Sequence, residues 1–495
     1  MTLPSRPTGV SADPILVPGE TCCAVEYADR FRLIVDGEGY FRALKRAMLK
    51  AERQILLIGW DFDVRVGFEA AGEKEVEGPN RLREFLRWIV RRRPGLEVYI
   101  LQWDLGVLYT LGPGALATLM MRWRGDRRIH FRFDRHHPPG AAHHQKIAVI
   151  DDRLGFCGGI DFTDERWDTR AHKDEDPRRR HPSGGTYPSW HDATAAVDGD
   201  AARRLGEIGR ARWLAATGKR LPRPDCTSDP WPGGLEPQLR DVRVALARTA
   251  PKMEDQEEVR EIEALYLAGI RAAERVLYFE SQYFAARRIA EAIAERLAEP
   301  DGPEVIVINP QDAMGWLEEV TMDSARAKLL GLVHRADRYG RFRFYYPQTR
   351  RGAPIYVHAK IMIVDGRLFR VGSSNLNNRS MGFDTECDLA IEARPGEARA
   401  EDLADFIHAV RDDLLAEHLH TDAAAVREAR RAAGGSLVAA LDALTAHGSG
   451  LKRFDPEDIG PVGELVAESD LVDPERPPHL LRRLARRLTG RARIA

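Results

Sequence analysis

His144-Gln145-Lys146-Ile147-Ala148-Val149-Ile150-Asp151 and His358-Ala359-Lys360-Ile361-Met362-Ile363-Val364-Asp365 share the pattern H-x-K-x-x-x-x-D, 214 residues apart. Seven residues after each Asp comes a glycine, Gly158 or Gly372. The register then continues, with Gly158-Gly159-Ile160-Asp161 over Gly372-Ser373-Ser374-Asn375. One such pattern can be a surface histidine near a lysine. Two in register, each with its glycine, arise by chance on the order of once in a million chains of this composition.

The spacing has a physical reading. Alternate residues of an extended strand share a face, so His144 projects with Lys146, and His358 with Lys360, while Ile147, Val149, Ile361 and Ile363 point the other way into a core. An imidazole beside an ammonium suits an anionic substrate: the lysine supplies fixed positive charge, and the histidine attacks or transfers a proton. Two such pairs facing one another would hold one phosphodiester between two imidazoles.

Around each motif runs an alternation of helix and strand. Residues 40–53 have apolar side chains at helical spacing, 54–59 form a short apolar run, 80–93 repeat the helix, and 96–101 and 130–133 the strand. The rhythm restarts with strands at 242–246, 276–279 and 305–308 and helices at 259–273, 287–298 and 324–333. Between the two series lies a Pro- and Gly-rich stretch, 222–237, where a lobe boundary is expected. The organisation read from this is an N-terminal extension 1–20, a lobe 21–225, a second lobe 226–425 and a helical tail 426–495.

The chain has 495 residues, 43% hydrophobic and 30% charged, which excludes global disorder. A net charge of -2 lacks the field of a dedicated nucleic-acid binder. Five scattered cysteines suggest neither a disulfide framework nor a zinc site and fit a reducing compartment. The run His136, His137, His143 lacks cysteine partners, and no metal site is expected of it. Residues 1–20 contain no apolar core of secretory-signal length, and no apolar run reaches bilayer-spanning length, so a cytoplasmic protein with at most peripheral membrane contact is expected.

The twin motifs resemble those of the phospholipase D superfamily over about residues 51–393. Further matches are Arg166-Trp167-Asp168, Trp190-His191-Asp192, the stretch 278–284 and Asn375-Leu376-Asn377-Asn378-Arg379-Ser380-Met381, which are similar to the eukaryotic-type phospholipase D branch. The resemblance implies two pseudo-symmetric α-β-α sandwich lobes with mixed sheets and one active site at their interface. It also implies hydrolysis of the distal phosphodiester of a phosphatidylcholine-like lipid to phosphatidate and a free alcohol through a phosphohistidine, with water or an alcohol as acceptor and no cofactor.

By the family's usual order His144 is the nucleophile and His358 the acid/base, within a catalytic set of His144, Lys146, Asp151, His358, Lys360 and Asp365. Lys146, Lys360, Ser373 and Asn375 are the implied ligands of the phosphate oxygens, with Gly158, Gly159 and Gly372 in support. Glu386, 28 residues past His358, matches the acid that orients that histidine, and Asp192 is the corresponding candidate for His144, with Asp168 as its rival. Strand parity puts Asp151 and Asp365 opposite their histidines, as turn and salt-bridge residues.

The competing readings are a cardiolipin-synthase-like phosphatidyltransferase, a nuclease, and a non-catalytic phospholipid- or nucleic-acid-binding module. The partners expected are a phospholipid at a membrane surface and no nucleic acid, with the chain a monomer. Residues 479–495, with Leu480, Leu481, Leu484 and Leu488 at helical spacing among six arginines, read as a basic amphipathic helix for an anionic surface. With only about twenty residues ahead of the first lobe, recruitment is expected to use the body or this tail.

Overall fold

The structure, a computed structural model, describes residues 13–70, 72–73, 75–104, 126–312, 316–446, 448 and 450–454, with the backbone alone over 316–324. The expected basic helix at 479–495 lies outside the described residues.

The first half runs β1 (Ala24–Val35), α1 (Gly37–Leu49), β2 (Gln54–Gly59), α2 (Leu82–Arg92), β3 (Glu97–Trp103), β4 (Ile129–Asp134), β5 (Ile147–Ile150), β6 (Leu154–Gly158), β7 (Trp190–His191), β8 (Ala193–Asp198) and α3 (Gly199–Thr217). The Pro-rich stretch falls in the irregular connection that follows. The second half runs β9 (Leu239–Ala250), β10 (Val259–Arg260), α4 (Glu261–Ala272), β11 (Val276–Glu280), α5 (Arg287–Ala298), β12 (Glu304–Ile308), α6 (Trp316–Ala336) and β13 (Phe342–Pro347). It continues with β14 (Tyr356–Val357), β15 (Ile361–Val364), β16 (Leu368–Gly372), α7 (Asn378–Gly382), β17 (Glu386–Glu392), α8 (Ala400–His418), α9 (Ala423–Ala432), α10 (Leu437–Thr445) and β18 (Leu451–Arg453).

All the strands but β7 and β14 belong to one mixed sheet. From a central seam where β1 pairs antiparallel with β9, one half reads β1-β8-β6-β5-β2-β3-β4 and the other β9-β17-β16-β15-β11-β12-β13, with β18 added at the far edge. The two motif strands therefore occupy the same place in each half. Their sequences, Ile-Ala-Val-Ile and Ile-Met-Ile-Val, are apolar at every position and buried on both faces, as a central strand between two helical layers requires. In the first half α1 and α2 cover one face through Phe41, Leu44, Phe85 and Ile89, and α3 the other through Leu205 and Trp213. In the second half α4 and α5 cover one face and α8 the other, so each half is an α-β-α sandwich.

Across the seam β6 lies against β17 and β8 against β16, and Cys157 Sγ donates to the Cys387 carbonyl at 3.3 Å. One apolar cluster takes Ile147, Val149 and Ala195 from one half and Ile361, Val371 and Leu389 from the other. That common core brings together the ends of β5 and β15 from which the two motif histidines project.

Asp151 and Asp365, placed in the expected catalytic set, take no part in the site. Asp151 (φ 56) turns the β5–β6 hairpin in left-handed backbone, and its carboxylate accepts the N–H groups of Glu52, Arg53 and Gln54 at 2.7, 2.8 and 2.7 Å. Asp365 (φ 51) does the same between β15 and β16 for Glu274, Arg275 and Val276 at 2.8, 2.9 and 2.7 Å. Each clips the start of the neighbouring antiparallel strand, β2 or β11, to the hairpin. At the rise of an extended chain each lies roughly 20 Å from its histidine.

Candidate active site

His144 and His358 stand just ahead of their strands, each held by a backbone bond to the opposite half. His144 N–H donates to the Thr385 carbonyl at 2.9 Å, and His358 N–H to the His191 carbonyl at 2.8 Å. The segment before each motif thus runs parallel to the segment that leads into β8 or β17 of the other half, as the β7·β14 pairing and the His143–Thr385 bridge record.

This exchange decides which carboxylate each imidazole meets, and it reverses the expected assignment. His144 Nδ1 lies 3.1 and 3.0 Å from the two oxygens of Glu386, and His358 Nδ1 lies 2.6 Å from Asp192 Oδ2. Within one half, β8 is two strands from β5, about 10 Å at sheet spacing, beyond the reach of a carboxylate. Across the interface the same carboxylate is in contact. Asp168, the rival for His144, instead binds His172 Nδ1 at 2.9 Å.

Lys146 Nζ donates to the His144 carbonyl at 2.9 Å and pairs with Asp161 Oδ2 at 3.1 Å. Lys360 Nζ likewise donates to the His358 carbonyl, but the residue in the register of Asp161 is Asn375, so that carboxylate is missing. Asn375 Nδ2 lies 3.5 Å from Gln282 Oε1, and its Oδ1 is buried without a hydrogen bond. Ser373, expected on phosphate, turns its hydroxyl onto Glu386 Oε2 at 2.5 Å, and Ser380 donates to Glu386 Oε1 at 2.7 Å.

The glycines answer to crowding. A Cβ on Gly158 would stand 2.3 Å from Thr194 Cα, one on Gly159 2.1 Å from Asp192 Oδ1, and one on Gly372 2.0 Å from Asp388 Oδ1. Gly159 and Ser373 occupy equivalent positions, each against its half's carboxylate.

Burial, with Lys146 and Lys360 adding to it, holds the His144 imidazole well below its usual range. Burial with Lys360 and Arg166 does the same to His358. Both rings are therefore neutral, with Nδ1–H donated to a carboxylate and Nε2 left as the reactive nitrogen. Burial lowers Lys360 to about 7 against the pull of Asp192. It raises Glu386 to about 7 although Ser373 and Lys146 favour its charge. Each motif lysine affects the other motif's histidine, which places both halves in one electrostatic site.

Beside His358 the Arg166 guanidinium lies 4.0 Å over the Trp190 ring, which stacks on Tyr356 at 4.7 Å and meets His358 at 5.0 Å. The arrangement brings two imidazoles with fixed tautomers, three basic side chains and a buried amide to one site. Arg166 and Ser380 lie in matched stretches of the sequence, but nothing there marks their roles. Gln282 and Asp161 carry only a motif position. His136, His137 and His143 each turn to a separate carboxylate, Asp255, Asp104 and Asp134.

A family model described as "Cardiolipin synthase, PLD-like domain" matches residues 266–408. Phospholipase D A of Dictyostelium discoideum is 24% identical over 438 residues, 73% of this chain and 33% of that protein. A cardiolipin synthase of Geobacillus thermodenitrificans is 28% identical over 285 residues, 55% of this chain and 47% of that protein. Phospholipase D alpha 4 of Arabidopsis thaliana is 23% identical over 461 residues, 70% of this chain and 59% of that protein. The chain thus spans between a third and about three fifths of these relatives. The crystal structure of phosphatidylserine synthase from Haemophilus influenzae Rd KW20 shares the fold, with a TM-score of 0.51 at 13% identity over 80% of this chain and 88% of that one.

Proposed function

Because this chain belongs to the phospholipase D superfamily, we propose that it cleaves the distal phosphodiester bond of a glycerophospholipid through a phosphohistidine intermediate. The observation that carries this reading is the crossed pair of imidazole–carboxylate contacts, His144 to Glu386 and His358 to Asp192, with one motif lysine beside each ring.

His358 first takes a proton on Nε2 from solvent as the anionic phosphodiester enters beside it; His144 Nε2 then attacks phosphorus, and the bond to the headgroup oxygen breaks as His358 gives that oxygen this proton. His358 then takes a proton from water or an alcohol, whose oxygen attacks phosphorus and breaks the P–N bond, restoring His144. Lys146, Lys360, Arg166 and the Asn375 amide stabilise the charge that builds on the non-bridging oxygens. The His144 ring, 17% exposed against 7% for His358, is the more open to an incoming phosphate, which supports His144 as nucleophile. We assign the lipid as phosphatidylcholine-like, the branch as the eukaryotic-type phospholipase D, and the working form as a monomer at a membrane surface. Among the described residues no helix is long and apolar enough to cross a membrane.

A phosphatidyltransferase is the second reading, favoured by the relatives named cardiolipin synthase and by the matched family description. One experiment separates the two. Mixed phospholipid vesicles are incubated with and without ethanol, with a parallel arm of phosphatidylglycerol, and products are read by mass spectrometry. Phosphatidate, joined by phosphatidylethanol in ethanol, is expected. Cardiolipin with free glycerol from phosphatidylglycerol would mark the transferase. No lipid product in any arm would overturn the reading in favour of a nuclease or a binding module.

A further inference from the structure

Behind the His358–Asp192 pair lies a second cluster of titratable groups that the reaction does not use. We propose that Asp36, His172, His191 and Glu417 form a structural site for one divalent transition-metal ion of the zinc class. None of the four is more than 8% exposed. Their ligand atoms converge on one point: Glu417 Oε1 lies 2.9 Å from His191 Nδ1 and 3.1 Å from His172 Nε2. Asp36 Oδ1 lies 3.3 Å from His191 Nδ1, and Asp36 Oδ2 lies 3.6 Å from His172 Nε2. Ligands about 2.1 Å from a tetrahedral zinc ion are separated from one another by about 3.4 Å, and these four contacts bracket that value.

Three further observations point the same way. Asp36 Oδ2 is buried and receives no hydrogen bond, although it faces the point of convergence. Each imidazole has its remaining nitrogen against an outer carboxylate, His172 Nδ1 on Asp168 at 2.9 Å and His191 Nε2 on Glu280 at 2.9 Å, as metal-binding histidines do. The charge is also in deficit: of Asp36, Glu417, Asp168 and Glu280, Glu417 meets Arg170 at 2.5 Å, which it shares with half-exposed Asp413, and Asp168 meets Arg179 at 3.1 Å, so Asp36 and Glu280 have no guanidinium or ammonium partner and a divalent ion would neutralise the excess. Two nitrogen and two carboxylate donors suit zinc and disfavour calcium or magnesium.

Such an ion would brace the active site without touching substrate. Asp36 Oδ1 accepts the Asp192 N–H at 3.1 Å and Asp36 N–H donates to the Asp192 carbonyl at 2.7 Å, which fixes the carboxylate that holds His358. Glu417 comes from α8, so the ligands also tie the two halves together.

The test is the metal content of the full chain purified from zinc-supplemented medium, measured by mass spectrometry after gel filtration. About one zinc per chain is expected, falling below about a tenth in His172→Gln and in Glu417→Gln. Should those variants not fold, the wild-type protein with a chromophoric zinc chelator should release its zinc only on unfolding in guanidinium, and zinc-edge anomalous scattering should place the ion among the four side chains. Folded wild-type protein without a transition metal, its carboxylates neutralised by two imidazolium rings instead, would overturn the proposal. So would zinc retained in folded forms of both variants.

Discussion

At the scale of single residues the site depends on opposed charges held close together. On the proposed mechanism His144→Ala and His358→Ala each remove a reacting nitrogen, and each is expected to lower kcat by at least about a thousandfold with the circular dichroism spectrum unchanged. Substantial turnover in either variant would sink the two-histidine mechanism. Lys360 and Glu386 set the pH response. Lys360 must be protonated to hold phosphate and Glu386 ionised to orient His144, and burial has brought both to about 7. With Lys146, Arg166 and Asp192 also facing them, kcat/KM should follow a narrow bell near neutrality. The same burial costs stability. Unfolded Lys360 keeps its proton up to its ordinary 10.5 but loses it near 7 in the fold, so its charge opposes folding in full below about pH 7, and this opposition fades as pH rises toward 10.5. Lys360→Met should therefore abolish activity yet raise the unfolding free energy at pH 6 by about 2 kcal/mol, with a higher Tm, and raise both less at pH 10. Thermal denaturation of both proteins at the two pH values checks this, and a Tm difference independent of pH would refute it.

Elements explain which of these groups could be read from the sequence. The histidines and lysines are legible because their spacing and their apolar strands are local features of six or seven residues. The carboxylates are not: Glu386 meets His144 across 242 residues of chain and Asp192 meets His358 across 166. Which acid serves which histidine depends on β8 and β17 trading partners across the interface, and no local pattern records that. Asp36 carries no signal at all ahead of α1. For Asp151 and Asp365 the motif position and the strand parity point different ways, to the catalytic set and to a turn, and their surroundings make them the hairpin clips that parity indicates. Asp151→Ala should accordingly lower stability by about 2–4 kcal/mol, since three backbone N–H groups lose their acceptor, with kcat of the folded fraction nearly unchanged. A denaturation midpoint and an active-site titration on the same sample test this. Gly159→Ala should do the opposite. Its Cβ would fall 2.1 Å from Asp192 Oδ1, so the carboxylate must leave His358, and kcat should drop at least about tenfold even where the fold survives.

The whole molecule ties these contacts to a single chain. The two halves share one sheet through the β1·β9 seam and one apolar cluster that neither half encloses alone. Each histidine takes its carboxylate from the opposite half, so a half by itself would hold an imidazole without its acid and a broad unpaired strand edge. A dimer of exchanged halves would also satisfy every crossed contact, and the two arrangements differ in what mixed variants can do. If the site closes within one chain, His144→Ala and His358→Ala proteins mixed after folding should remain inactive, because no site in the mixture has both rings and opening the seam would expose the shared core. If halves exchange between chains, mixing should restore a fraction of wild-type turnover, growing with time and protein concentration. Phosphatidate release from the mixture, followed over hours at two concentrations, distinguishes them. Continued inactivity is expected from the extent of the shared core, whereas recovered activity would mean that the seam between β1 and β9 opens far more readily than its seven paired registers from Ala24 to Phe31 imply.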